Sequence, residues 1–215
     1  MRHTHWRLLV IVVAMIAIGA HYFDHAWLHY IAKPAATLLI AAHAMTSTGG
    51  DAGYRRWVIV GLLWSTLGDV LLMLPWDAFL YGLLAFLVAH LCYLLAFSRR
   101  ARFAARRTPF TLYALVACGI LTWLWQGIPA SMRLPVIVYV AALGSMAAQA
   151  FAIWLVRRDA VSASAAIGGA LFLCSDSLIA INRFAEPFEA SRLLILTSYW
   201  VAQWLLARSI TRVPE

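Results

Sequence analysis

The run GGALFLCSDSLIAINRF, residues 168–184, has the apolarity of a membrane helix and one carboxylate in its middle, Asp176. At a helix centre within a bilayer an aspartate costs about 2.5–3.5 kcal/mol on an insertion scale. Such residues face the interior of a bundle or a wet cavity and mark functional sites by default. The run therefore asks what Asp176 meets on other helices.

The rest of the chain calls for the same solvent. Of 215 residues, 64% are hydrophobic and only 12% charged, and the mean hydropathy is +0.81. A water-soluble domain is about 45–50% apolar and about 25% charged, so this chain has too little polar surface to cover itself in water. The class that fits is an all-α integral membrane protein, one transmembrane domain over residues 1–215. Reading apolar runs of about 17–25 residues as spans predicts a compact bundle of eight transmembrane helices, at roughly 7–23, 27–46, 56–74, 78–97, 109–126, 134–156, 161–182 and 191–209. The first resembles a signal peptide in its basic start, but no small-residue cleavage site follows, so it reads as an uncleaved helix. Connections are short, and no repeat of transporter type is visible.

Charge sets the orientation. With the N-terminus inside, the inner segments hold Arg2, Arg7, Arg55, Arg56, Arg99, Arg100, Arg102, Arg106, Arg107, Arg157, Arg158, Arg208 and Arg212, which is 13 of the 17 basic residues. Lys33, Arg133, Arg183 and Arg192 fall at or near the outer side. Cytoplasmic loops collect Lys and Arg, so both termini are predicted to be cytoplasmic, in a bacterial inner (plasma) membrane. The net charge of +8 is thus a topology signal. It forms no nucleic-acid-binding stripe, and no zinc-finger spacing accompanies it. Cys92, Cys118 and Cys174 lie inside apolar runs without CxxC spacing and read as packing residues.

The ionisable residues inside spans are Lys33, His43, Asp69, His90, Asp176 and, near an end, Arg183. Lys33 is about 6 residues from the outer end of its span, roughly 9 Å at about 1.5 Å per residue. Asp69, Asp176 and Tyr199 fall at about the same depth, and His90 lies near mid-membrane. Helical spacing aligns Ser65 with Asp69, and Phe86 with His90, Tyr93 and Phe97. It also aligns Gly169, Phe172, Asp176 and Arg183 on the seventh span, and Arg192, Tyr199 and Gln203 on the eighth. One polar layer in the outer half, lining a cavity open to the outer leaflet, is the expectation. His43 reads as interfacial near the inner end, and His3, His5, His21, His25 and His29 as interfacial at membrane edges. The tryptophans read mostly as an aromatic belt.

Six stretches carry a resemblance: KPAATLLI from Lys33, GDVLLML from Gly68, FLVAHLCYLLAF with His90 and Tyr93, YVAALGSMAAQA from Tyr139, GGALFLCSDSLIAINRF with Asp176, and SYWVAQWLL with Tyr199 and Gln203. In this order, from residue 33 to 206, they resemble the YhhN family of lysoplasmalogenases. The resemblance implies hydrolysis of the vinyl-ether bond of lysoplasmalogens, giving a fatty aldehyde and glycerophosphoethanolamine or glycerophosphocholine. It also implies that no metal or organic cofactor is needed.

The chemistry suits the residues. A vinyl ether is cleaved by protonation of its enol carbon, capture of the oxocarbenium ion by water, and collapse of the hemiacetal. One carboxyl must keep its proton while another stays ionised, the division of labour also used by glycosidases. Asp69 and Asp176 are the expected catalytic pair, with His90 as proton relay. The sequence leaves open which is the acid, and the more apolar surroundings of Asp176 favour it. Lys33 and Arg183 are expected to bind the phosphate, and Tyr93, Tyr199 and Gln203 to order water or the glycerol hydroxyl. Tyr139, in the fourth matching stretch, joins this substrate-binding set. The expected partners are a lysophospholipid substrate and membrane lipids, with no nucleic acid and no protein partner. Two rivals use the same residues, a proton-coupled transporter and a non-catalytic lipid-binding protein. A transporter calls for polar residues through the full depth, whereas the inner halves of the third and seventh spans are nearly dry.

Overall fold

The computed structural model describes residues 3–47 and 50–210. Arg2, Arg212, the side chain of His3 and both chain ends, which enter the charge and interface arguments, lie outside the described residues. The described chain is all-helical: α1 His3–Tyr22, α2 Ala26–Thr46, α3 Ala52–Leu71, α4 Phe79–Ser98, α5 Arg107–Leu124, α6 Ala130–Arg157, α7 Ala160–Phe184 and α8 Ser191–Arg208. A 3-10 turn, Trp125–Gly127, follows α5. Five of these helices, α1, α4, α5, α6 and α7, are long and apolar enough to cross a membrane. In lipid every backbone group must be satisfied internally, and a helix does this within one segment. The other three, of 21, 20 and 18 residues, fall short in hydropathy because they carry Lys33, Asp69, Arg192 and Gln203 among other polar groups.

Six helices close a ring. Neighbours pack in the order α2, α3, α4, α6, α7, α8 and back to α2, while α1 lies outside on α2 and α5 lies outside on α6. The chain thus skips α5 in closing the ring. Small residues set the spacing on α3. A Cβ on Gly61 would lie 2.5 Å from the Tyr93 ring, and one on Gly68 would lie 2.6 Å from the Phe86 ring. Both aromatics of α4 therefore rest directly on the α3 backbone. The outer surface is apolar, with Met15 65%, Leu115 68% and Leu134 70% exposed. Such a continuous surface is at odds with water and suits acyl chains.

One end of the bundle is basic and tied down. Asp51 caps α3 by accepting from the Tyr54 N–H at 2.8 Å and pairs with Arg99 at 3.2 Å. That N–H and the Arg99 guanidinium hold the Asp51 carboxyl below its ordinary range. Arg100 lies 3.5 Å over the Tyr54 ring and donates to the Ser209 carbonyl. Arg157 reaches the Arg100 carbonyl. These contacts gather the arginine-rich connections at a single end.

Candidate active site

Every helix of the ring supplies polar residues to its interior, and they form two hydrogen-bonded groups. In the first, Asp69 of α3 accepts at Oδ2 from Thr37 Oγ1 (2.8 Å, α2) and Tyr199 Oη (2.7 Å, α8). Its Oδ1 lies 3.4 Å from Lys33 Nζ. Asp69 is 1% exposed, so these groups stand in for water. All three are donors or positive charge, the surroundings of an anion.

In the second group Asp176 of α7 accepts at Oδ2 from the Tyr139 hydroxyl of α6. His90 Nε2 of α4 lies 3.3 Å from the same oxygen and 3.0 Å from Tyr139 Oη. His90 is fully buried and its Nδ1 has no hydrogen-bond partner. A buried N–H without an acceptor is costly, which favours the tautomer protonated at Nε2, where Asp176 and Tyr139 can accept. Of the two oxygens of Asp176, Oδ2 alone is engaged by protein groups.

Aromatic rings separate the two groups. The centroid of Phe172 is 4.7 Å from that of His90 and 5.6 Å from that of Tyr199. Phe86 touches both Phe172 and Tyr199 edge-on. Behind this wall Tyr93 donates to Gln203 Oε1 at 2.7 Å and lies 3.4 Å from Ser65 Oγ. The expected single polar layer is thus two groups with apolar rings between them, because the rings on α4 and α7 share the helical stripes of His90 and Asp176.

Two cavities meet near these groups. One is apolar, lined by α4, α5, α6 and α7, with Leu83, Leu121, Val140 and Ala180 on its walls. Among the described residues lining it, Asp176 is the one charged group. The other is a vestibule of about 630 Å³ lined by His21, His29, Lys33, Arg183 and Arg192 among others. Leu72, Phe79 and Ile179 line both. The pair sets cations beside apolar walls, with the shared edge near Asp176.

The residues expected from sequence divide by outcome. Lys33, Asp69 and Tyr199 come together, as do His90, Tyr139 and Asp176, while Tyr93 and Gln203 pair with each other. Tyr139 sits on the Asp176 carboxyl. Arg183 reaches the vestibule wall, but it pairs with Asp77 at 2.6 Å and lies 5.1 Å over the Phe79 ring. His43 is buried rather than interfacial, stacked on Trp204 at 4.8 Å. His29 is also buried, its Nδ1 donating to the Ala17 carbonyl at 2.8 Å. Sequence reasoning placed His21 and His29 at a membrane edge and Arg192 on the stripe of Tyr199 and Gln203, but gave none of them a role in the site. Their shared depth was the available signal.

The chain is similar to proteins of bacteria and animals. It is 35% identical over 205 residues to a lysoplasmalogenase of Mycobacterium bovis, covering 92% of this chain and 76% of that protein. It is 33% identical over 192 residues to lysoplasmalogenase TMEM86B of Sus scrofa, covering 88% and 78%. It is 26% identical over 207 residues to the uncharacterized membrane protein YhhN of Escherichia coli, covering 95% and 98%. No solved structure matches it significantly. Such relatives and its apolar helices make it an integral membrane protein. With the YhhN family profile matching residues 28–210, nearly all of the helical ring, the chain belongs to the YhhN family.

Proposed function

We propose that this protein is a lysoplasmalogenase, an integral membrane hydrolase that splits the vinyl-ether bond of a lysoplasmalogen into a fatty aldehyde and a glycerophospho-ethanolamine or -choline. The observation that carries this reading is Asp176. Among the described residues it is the one charge on an apolar cavity, with Tyr139 and His90 on one of its oxygens. Relatives named lysoplasmalogenase, at 33% and 35% identity, support the same activity.

In this mechanism Asp176 starts as the carboxylic acid and carries its proton on Oδ1. The proton passes to the enol carbon, leaving an oxocarbenium ion next to a new carboxylate. Hydrogen bonds from Tyr139 and His90 strengthen as that charge appears, which is the differential stabilisation that lowers a barrier. Water attacks the cationic carbon and gives its proton back to Asp176, and the hemiacetal then collapses to aldehyde and alcohol. The relay role expected of His90 narrows to this Nε2–H hydrogen bond, because its Nδ1, the second port a relay needs, meets no partner among the described residues. Asp69 is the ionised member, bonded to Tyr199 and to Lys33 of the vestibule wall, while Tyr93 and Gln203 support Tyr199 from behind. All eight helices span a bacterial inner membrane in this reading, with both termini inside. A fluorescent protein fused after Glu215 is then expected to fluoresce in cells.

The direct test is aldehyde release from a lysoplasmalogen by protein purified in detergent. Wild-type protein is expected to release it, and the Asp176→Asn and Asp69→Asn variants to lose most turnover. Release no greater than from the Asp69→Asn/Asp176→Asn double variant would sink the hydrolase. Proton flux in proteoliposomes without lipid turnover would favour the transporter.

A further inference from the structure

The vestibule contains one cation that no carboxylate neutralises among the described residues. The charge of Lys33 is opposed by Asp69 at 3.4 Å, and that of Arg183 by Asp77 at 2.6 Å. Arg192 is different, since its Nη1 lies 2.7 Å from His21 Nδ1. A guanidinium can only donate, so His21 Nδ1 is the unprotonated acceptor. His29, whose ring centroid is 5.8 Å from that of His21, bonds a backbone carbonyl through Nδ1. A carbonyl only accepts, so that nitrogen carries the proton. His21 thus orients Arg192 without cancelling its charge, while His29 is occupied by the Ala17 carbonyl. Asp24 also lines the vestibule, but among the described residues no ion pair joins it to Arg192.

We propose that Arg192, aimed by His21 as its positioning residue, is the group that takes the phosphate of the substrate's headgroup, with Lys33 as the second contact. The inference rests on the proposed function and replaces the phosphate role expected of Arg183, whose guanidinium is held by Asp77 against Phe79. A planar guanidinium with free N–H groups matches two phosphate oxygens at once, which an ammonium cannot do. The class of ligand is a phosphodiester on a glycerol bearing a single chain. Uncharged vinyl ethers can enter the apolar cavity but gain nothing from Arg192.

The test compares two substrates, a lysoplasmalogen and a phosphate-free 1-alkenylglycerol, with aldehyde release as the readout. Arg192→Gln is expected to raise KM for the lysoplasmalogen about tenfold or more, the scale of a lost charge-assisted contact. It leaves kcat within about twofold and KM for the alkenylglycerol unchanged. Arg192→Lys recovers part of the loss, and His21→Ala gives a smaller rise confined to the phosphate-bearing substrate. Equal effects on both substrates, or none on either, would overturn the proposal. A binding arm separates this inference from the hydrolase reading. If wild-type protein releases no aldehyde, the hydrolase reading fails. Weaker binding of acyl lysophosphatidylethanolamine by Arg192→Gln, with the thermal melt unchanged, would still support the phosphate site, and undiminished binding would overturn it. Inorganic phosphate is expected to compete only at millimolar concentration. Competition as effective as that of the lysolipid would mark a free-phosphate site and overturn the headgroup assignment.

Discussion

Removing Lys33 while Asp69 stays in place measures what their ion pair contributes. At 3.4 Å and an effective dielectric of about 20, the attraction is about 5 kcal/mol. Breaking a buried pair from one side costs about 3–5 kcal/mol, because the remaining charge is stranded. Asp69 is 1% exposed and cannot turn to water, but it keeps the Thr37 and Tyr199 hydroxyls. The loss for Lys33→Met therefore lies near the lower figure, about 3 kcal/mol. At about 2–4 °C per kcal/mol for a chain of this size, the apparent Tm falls by about 6–12 °C. In Lys33→Met/Asp69→Leu no charge is stranded, and Thr37 and Tyr199 can still pair with each other, 3.4 Å apart. That double variant is expected to melt within a few degrees of wild type (about one kcal/mol) and to remain inactive. Tryptophan fluorescence melts in detergent, read beside aldehyde release, give both answers. A Lys33→Met protein as stable as wild type would refute the electrostatic reasoning, as would a double variant melting as low as the single one. A double variant with normal turnover would reduce the pair to structural support.

Three further outcomes are expected. Tyr139→Phe keeps the ring and removes the hydroxyl on Asp176; losing about 1.4 kcal/mol of transition-state stabilisation lowers kcat about tenfold with little change in KM, measured by steady-state aldehyde release. Ala180→Phe fills the apolar cavity, so kcat/KM should fall for long-chain substrates and be spared for short-chain ones in a chain-length series. Gly127→Ala places a Cβ 1.7 Å from the Phe184 carbonyl oxygen; the backbone must shift, at about 1–3 kcal/mol, and the melt should fall accordingly.

Much of the fold could be read from hydropathy, because lipid leaves a helix few alternatives. Where the ends differ, local chemistry decides. Asp51 caps α3 and starts it at Ala52 rather than near 56, and Pro129 starts α6 at Ala130 rather than near 134. The site was legible in depth but not in azimuth. Depth brought Lys33, Asp69 and Tyr199 to one level, and they do bond. It could not tell that Asp176 faces α4 and α6 while Asp69 faces α2 and α8, since that depends on α5 being left out of the ring. Arg183 and Arg192 looked alike as cations at helix ends. What separates them is Asp77 in the loop after α3, on one, and His21 of α1 on the other. His43 read as interfacial because its stacking partner, Trp204, lies on a helix distant in sequence.

The two cavities that share Leu72, Phe79 and Ile179 also bear on the fate of the products once the bond is cut. A long-chain aldehyde and a primary amine condense readily to an imine, and hydrolysis of an ethanolamine lysoplasmalogen makes one of each. In the proposed binding mode, with the chain among α4, α5, α6 and α7 and the headgroup among the vestibule cations, the two products are born in different compartments. One is left to partition into the bilayer and the other into water. On the proposed reading, the shared edge of the cavities acts as a sorting point, drawing the electrophile away from the amine as soon as the covalent link between them is gone.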